Sequence, residues 1–217
     1  MNILPQNQRR LFIIICLAVF SLIIATSRAE ENTYQQECDR LAAELNWHEG
    51  SVVADVGAGR GELTLLASQR VGAEGRVYTT ELDPKKLELL EALAAKNKNI
   101  TALQAGESLT NLPPSCCESI YLRLIYHHLT KPAEIDASLF QSLKPGGLLA
   151  VIDEEPRPGT KRVEGVPENR LGHGITKSIL VGEFTAAGFR IVKSLDEWPS
   201  RDATHLIYCV IFRKPLP

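Results

Sequence analysis

The sequence predicts an α/β fold with a doubly wound, mostly parallel sheet. Three observations carry that expectation. Short β-branched runs alternate with helical stretches along the chain. A glycine-rich turn follows the first of those runs. The chain finishes differently, with one helix and then two strands joined by about ten residues, too few for a helical crossover. Alternation places helices on both faces of a parallel sheet, and the short final connection makes the last strand antiparallel.

Each element has its own signal. Residues 30–50 read as a helical lead-in with Cys38, Leu41, Ala42 and Leu45 on one face. Ser51 to Val56 is the first strand, followed by Gly57-Ala58-Gly59-Arg60-Gly61 and a helix to about Val71. Arg76 to Glu81 is the second strand. Asp83-Pro84 opens a helix to about Lys96, because Asp can cap it and Pro suits its first turn. Ile100 to Gln104 and Ser119 to Ile125 are strands three and four. Pro132 to Leu143 is a helix closed by the Lys144-Pro145-Gly146-Gly147 turn, and Leu148 to Asp153 is strand five. Residues 154–174, rich in Pro, Gly and charge, form a long loop before a helix from Thr176 to Ala187 closed by Gly188. Phe189 to Ser194 and His205 to Phe212 complete the seven strands.

Composition excludes other classes. At 217 residues with 44% hydrophobic and 23% charged residues, the body suits one globular domain, not a disordered chain. A net charge of −2 gives no electrostatic footprint for nucleic acid. Cys116-Cys117 reads as loop residues before a strand. The cysteines show no metal-ligand spacing, and no metal is expected.

The N-terminus is a different kind of segment. Arg9, Arg10 and Arg28 are three of the 24 basic residues, and none of the 26 acidic ones precedes Glu30. Leu11 to Ala25 is apolar except for Ser21, and Ser27-Arg28-Ala29 has the small residues of a cleavage site. Residues 1–29 are expected to be a signal peptide or membrane anchor, and 30–217 the folded domain. The basic pair ahead of the apolar run favours an N-inside orientation. Residues 11–26 would then export or anchor the chain, with the body on the non-cytoplasmic side and no other membrane contact.

The chemistry is concentrated in Asp55-Val56-Gly57-Ala58-Gly59-Arg60-Gly61. Glycines let backbone approach a ligand, and the following helix turns its first amides toward it. Glu62 stands where a dinucleotide fingerprint has its third glycine, which argues against an NAD-type dehydrogenase. Glu81 ends the second strand 20 residues after Gly61, where a carboxylate can accept both hydroxyls of a ribose. Tyr126-His127-His128-Leu129 follows strand four. Histidine titrates near neutrality and can take a proton from a hydroxyl or thiol.

Asp55–Gly61, Glu81 and the Leu143–Gly147 turn resemble the class I S-adenosylmethionine-dependent methyltransferases over roughly residues 40–213. The resemblance implies a Rossmann-like seven-stranded sheet of order 3-2-1-4-5-7-6 with the seventh strand antiparallel. It implies S-adenosylmethionine as methyl donor. Asp55 and the Gly57, Gly59 and Gly61 backbone would face its methionine end, Glu81 the ribose, Leu82 the adenine and Glu107 the adenine amine. The Tyr-His-His-Leu stretch looks like a subset acting on small molecules. His127 and His128 become catalytic candidates, and His173 lies in the loop where family members build the acceptor pocket. No Asn/Asp-Pro-Pro-Tyr/Phe motif occurs, so DNA adenine and protein glutamine are not expected acceptors. The alternative is a non-catalytic S-adenosylmethionine-binding protein that keeps the fold.

Overall fold

The computed structural model describes residues 33–200 and 206–217. The expected signal or anchor over residues 1–29, and His205, lie outside the described residues. Among the described residues, no helix is long and apolar enough to cross a membrane.

The strands are β1 (Val52–Val56), β2 (Arg76–Glu81), β3 (Ile100–Gln104), β4 (Cys117–Arg123), β5 (Leu143–Glu154), β6 (Arg190–Leu195) and β7 (Ile207–Arg213). They form one sheet of order β3-β2-β1-β4-β5-β7-β6. The first five pair in parallel. β7 runs antiparallel to both β5 and β6. This is the seven-stranded order that the family resemblance implied. The helices are α1 (residues 33–44), α2 (Glu62–Val71), α3 (Pro84–Lys96), α4 (Pro132–Ser142) and α5 (Lys177–Ala186), with a 3-10 turn at Tyr126–His128.

Alternation along the buried strands builds a core on each face of the sheet, because side chains point to opposite faces with period two. Val53, Tyr121, Ala150 and Ile152 join Leu41, Ala42 and Leu45 of α1 and Ala67 of α2 on one face. Ala54, Ile120, Leu122, Leu149 and Val151 join Leu139 of α4 and Phe184 of α5 on the other. Asp83 caps α3 as expected, its Oδ1 accepting the Lys85 N–H at 2.8 Å, with Pro84 in the first turn.

Three boundaries differ from the sequence reading. Leu143–Gly147 is not a turn but the opening of β5, where Leu143 pairs with Cys117 ahead of a register shift. Cys117 is therefore the first residue of β4 and fully buried, not a loop residue. β4 stops at Arg123 because Leu124 adopts φ 53, which ends the extended run and starts the 3-10 turn.

The chain runs outward from β1 to β3 and returns to β4 on the other side of β1. The carboxyl ends of β1 and β4 thus flank the switch point, where ligands bind in such sheets. α1 is tied to that point. Arg123 donates through Nε and Nη2 to the two Glu37 carboxylate oxygens at 2.7 and 2.8 Å, and Trp198 Nε1 donates to Glu37 at 3.2 Å. Glu37 is fully buried. Glu37→Ala strands the guanidinium and is expected to destabilise the fold by about 3–5 kcal/mol. Denaturant unfolding reads this directly, and a loss below about 1 kcal/mol, the level of an exposed pair, would contradict it.

Candidate functional site

The glycines after β1 do different jobs. A Cβ on Gly57 would lie 2.7 Å from Ile125 Cγ1, and one on Gly61 would lie 2.8 Å from Leu90 Cδ2. Those two allow close approach of the β4 loop and of α3. Gly59 is at φ 61, and a Cβ there would meet nothing within 4 Å. Its N–H donates to Glu81 Oε2 at 2.8 Å.

Both strand-end acids are buried, not solvated: Asp55 is 3% exposed and Glu81 6%. Glu81 Oε1 also accepts the Leu82 and Asp83 N–H groups, at 2.9 and 3.2 Å. One carboxylate therefore organises both the glycine loop and the start of the β2–α3 turn. Asp55 Oδ2 accepts the Thr64 hydroxyl at 2.7 Å. Burial pushes the Asp55 carboxyl up to about 6, against the lowering effect of the Thr64 hydrogen bond.

Two cavities adjoin at the carboxyl ends of β1 and β4, sharing Gly57, Lys86 and Arg123 in their walls. The larger, about 540 Å³, is bounded by Glu81, Leu82, Glu107, Leu109 and His128. Leu82 and Leu109 keep half their surface open, which gives this compartment an apolar lining. The smaller, about 310 Å³, is bounded by Asp55, Gly59, Arg60 and Glu62 and is more polar. Glu107 reaches the larger cavity, but its side chain is 68% exposed and pairs with Lys131 at 3.5 Å. Gly61 and His127 line neither cavity.

The histidines gather beside the larger cavity. His127 is buried, with Nδ1 2.6 Å from Asp153 Oδ1 and its backbone N–H donating to Asp153 Oδ2 at 3.1 Å. That bond places a proton on Nδ1 and leaves the lone pair on Nε2. His128 is exposed and packs on His127 with ring centroids 4.1 Å apart. Although the residue is exposed, partial desolvation of the ring against its neighbours, with the nearby His127 and His173, holds its imidazole down at about 4. His173 closes the group, 4.6 Å from the His127 ring and 5.1 Å from the His128 ring. The loop that carries it is anchored by Arg170, which donates to both Glu183 carboxylate oxygens of α5 at 2.8 Å.

The structure brings Gly57, Glu81, Leu82, Glu107 and His128 to one cavity and Asp55, Gly57 and Gly59 to the other. Sequence reasoning missed Arg123, Lys86, Leu109 and Asp153. Of these, Asp153 had a signal in strand register. Arg123 pairs with Ile152, so the next residue of β5 reaches the switch point beside the histidine turn.

A doubly wound sheet with a glycine loop, a buried carboxylate at the end of β2 and two adjoining cavities at the switch point is the arrangement with which such sheets bind nucleoside-type cofactors. Comparison with known proteins narrows that class. Residues 54–151 match the methyltransferase domain model. The chain is 28% identical over 107 residues to a ubiquinone/menaquinone biosynthesis C-methyltransferase UbiE of Marinomonas sp. (strain MWYL1), covering 48% of this chain and 43% of that protein. It is 32% identical over 141 residues to a protein-L-isoaspartate O-methyltransferase of Ignicoccus hospitalis, covering 64% of this chain and 63% of that protein. The chain thus spans less than two thirds of either relative. The crystal structure of a SAM dependent methyltransferase from Aquifex aeolicus superposes with a TM-score of 0.67 at 22% identity, covering 83% of this chain and 91% of that one. Residues 54–151 thus match a methyltransferase domain, the sheet has the fold of the Aquifex aeolicus methyltransferase, and S-adenosylmethionine is the methyl donor that this likeness implies.

Proposed function

We propose that the protein transfers a methyl group from S-adenosylmethionine to a small-molecule acceptor. The observation that carries this reading is the pair of adjoining cavities, apolar beside Glu81 and polar beside Asp55, with His128 in the wall of the first. The residues fit the donor. Gly59 leaves open the space that a Cβ would fill, Glu81 offers a buried carboxylate to ribose hydroxyls, and Asp55 offers one to an ammonium group. Leu82 supplies apolar surface for the adenine, with Glu107 at the same cavity for its amine. The Gly57–Arg60 backbone, in the wall of the smaller cavity, faces the methionine end, and Gly61 serves the packing of α3 instead.

When bound, the donor supplies an electrophilic methyl group on a sulfonium. The chain aligns the acceptor and excludes water. His128 stands where an acceptor docks, and His127 packs behind it. Asp153 holds the His127 Nδ1 proton and so fixes the ring on which His128 packs, and His128, in the cavity wall, is the one of the pair within reach of the proton of a hydroxyl or thiol. Full-length protein incubated with methyl-labelled donor and a small-molecule metabolite extract is expected to label that fraction. Donor binding with no label in any acceptor would replace this reading by the silent binding protein.

Binding should depend on pH through Asp55. Its folded value of about 6 exceeds that of a free carboxyl, so this group stabilises the fold at low pH and that contribution fades as pH rises toward 6. An ammonium ligand needs the ionised form. Affinity should therefore fall by up to about tenfold per pH unit below 6 and level off above it. Calorimetry at pH 7.5 and pH 5 tests this, and Asp55→Asn should flatten the difference. A dependence unchanged in that variant would remove Asp55 from the role.

Residues 11–26 direct the chain to a membrane in this reading, with the body on the non-cytoplasmic side. The basic pair and the apolar run support it. A tag after Pro217 should resist protease in intact cells only if external protease cannot reach its compartment, so digestion is compared in cells, in cells with a permeabilised outer envelope and in lysates. N-terminal sequencing reads cleavage as a start at Glu30. A soluble cytoplasmic protein with an intact N-terminus would refute it.

A further inference from the structure

We propose that His127, His128 and His173 form a binding site for a divalent transition-metal cation that favours imidazole ligands, zinc being the reference case. One ligand atom from each lies within 4.8 Å of the others. Tetrahedral zinc with N–Zn distances of about 2.0–2.1 Å needs its nitrogens about 3.3 Å apart. Closing that gap takes ring rotation by the exposed His128 and a small movement of the loop carrying His173.

The stronger observation is His127. Its Nε2 is buried with no hydrogen-bond partner among the described residues. A buried imidazole nitrogen left unpaired carries a desolvation cost that a bound cation would offset. Its Nδ1 is bound by a fully buried Asp153, the carboxylate–histidine arrangement that orients a metal-binding ring and raises its basicity. His173 has the same kind of support. Its Nδ1 lies 3.0 Å from Glu154 Oε1 and 2.6 Å from Arg157 Nη2. As placed, Nδ1 can accept from Arg157; metal binding through Nε2 needs the Nδ1 proton directed at Glu154, with the Arg157 donor turned to the same carboxylate, 3.0 Å away. Asp153 thus backs His127, and Glu154 backs His173 while also pairing with Arg157. His128 gives the entry path.

Three imidazoles leave a fourth position open, the pattern of catalytic rather than structural zinc. On the methyl-transfer reading, on which this step alone rests, that position takes the acceptor. The class it selects is a small molecule bearing a thiol or hydroxyl, which coordinates as the anion and releases its proton to water. The free lone pair of His127 Nε2 then serves as a ligand, and the cation acidifies the acceptor. Sequence spacing hides the site because His173 is 45 residues beyond His128.

Metal-stripped full-length protein is titrated with Zn²⁺ by calorimetry and with Co²⁺ by visible absorption. One equivalent should bind, without the thiolate charge-transfer band that a cysteine site such as Cys116-Cys117 would give. His127→Ala and His173→Ala should each weaken Zn²⁺ at least about tenfold, and Asp153→Asn about 10–100-fold. S-adenosylmethionine titration of the same samples reports folding, and His173→Ala should leave that affinity unchanged. Zn²⁺ affinity unaltered in His173→Ala, a thiolate band, or no Zn²⁺ binding by protein that still binds S-adenosylmethionine overturns the metal site and leaves the methyltransferase reading standing. Folded protein that binds neither overturns both.

Discussion

Glu81→Ala is expected to weaken S-adenosylmethionine binding at least tenfold, and by more than any other single cavity substitution to alanine. Charge-assisted bonds from two ribose hydroxyls to a buried carboxylate contribute about 1.5–3 kcal/mol each before losses. Each 1.4 kcal/mol is about a factor of ten. The same side chain fixes Gly59, Leu82 and Asp83 through their N–H groups, so removing it also loosens the loop that faces the ligand. Glu81→Gln is not a conservative control. Its amide has one oxygen, and either orientation turns an NH₂ group toward a backbone N–H that now has an acceptor. Calorimetry on both variants, with circular dichroism to report folding, should show both weakened. Unchanged affinity in Glu81→Ala would mean that the ribose lies elsewhere.

Gly59→Val should abolish measurable binding while the sheet remains folded. The open space beside Gly59 is cavity, so the side chain enters the volume meant for ligand. A β-branched residue at φ 61 adds about 1–2 kcal/mol of backbone strain. The contrast is Gly57→Val, where the new Cβ sits 2.7 Å from Ile125 and stability itself should fall. Thermal denaturation separates the two. Gly59→Val losing stability like Gly57→Val, with ligand affinity intact, would contradict the placement of the cavity.

The fold was legible because its signals are local or periodic. The Val53/Ala54 alternation, the Asp83-Pro84 cap and the glycine turn each state their structure within a few residues. The misread boundaries depend on partners far along the chain. Leu143–Gly147 carries Pro and two glycines, the composition of a turn, yet Leu143 pairs with Cys117 and the segment enters β5. Asp55 and Glu81 were legible for the same local reason, standing toward the ends of the first two strands, Asp55 two residues before the glycine turn. Arg123 was not, because its partner Glu37 is 86 residues away on a helix whose sequence shows only an apolar face. His173 could be named as a loop histidine, but its packing against His127 depends on Arg170 and Glu183 pinning that loop. Asp153 looked like the end of a buried strand until parallel register set it under the His127 ring.

The account stands most directly on one titration. Full-length protein is titrated by calorimetry with S-adenosylmethionine, S-adenosylhomocysteine and NAD at pH 7.5. Binding of the first two, both tighter than NAD, is the result predicted by Asp55, the Gly57–Gly61 loop and Glu81. No heat from either on folded protein, or a preference for NAD, would contradict the assignment of this cavity.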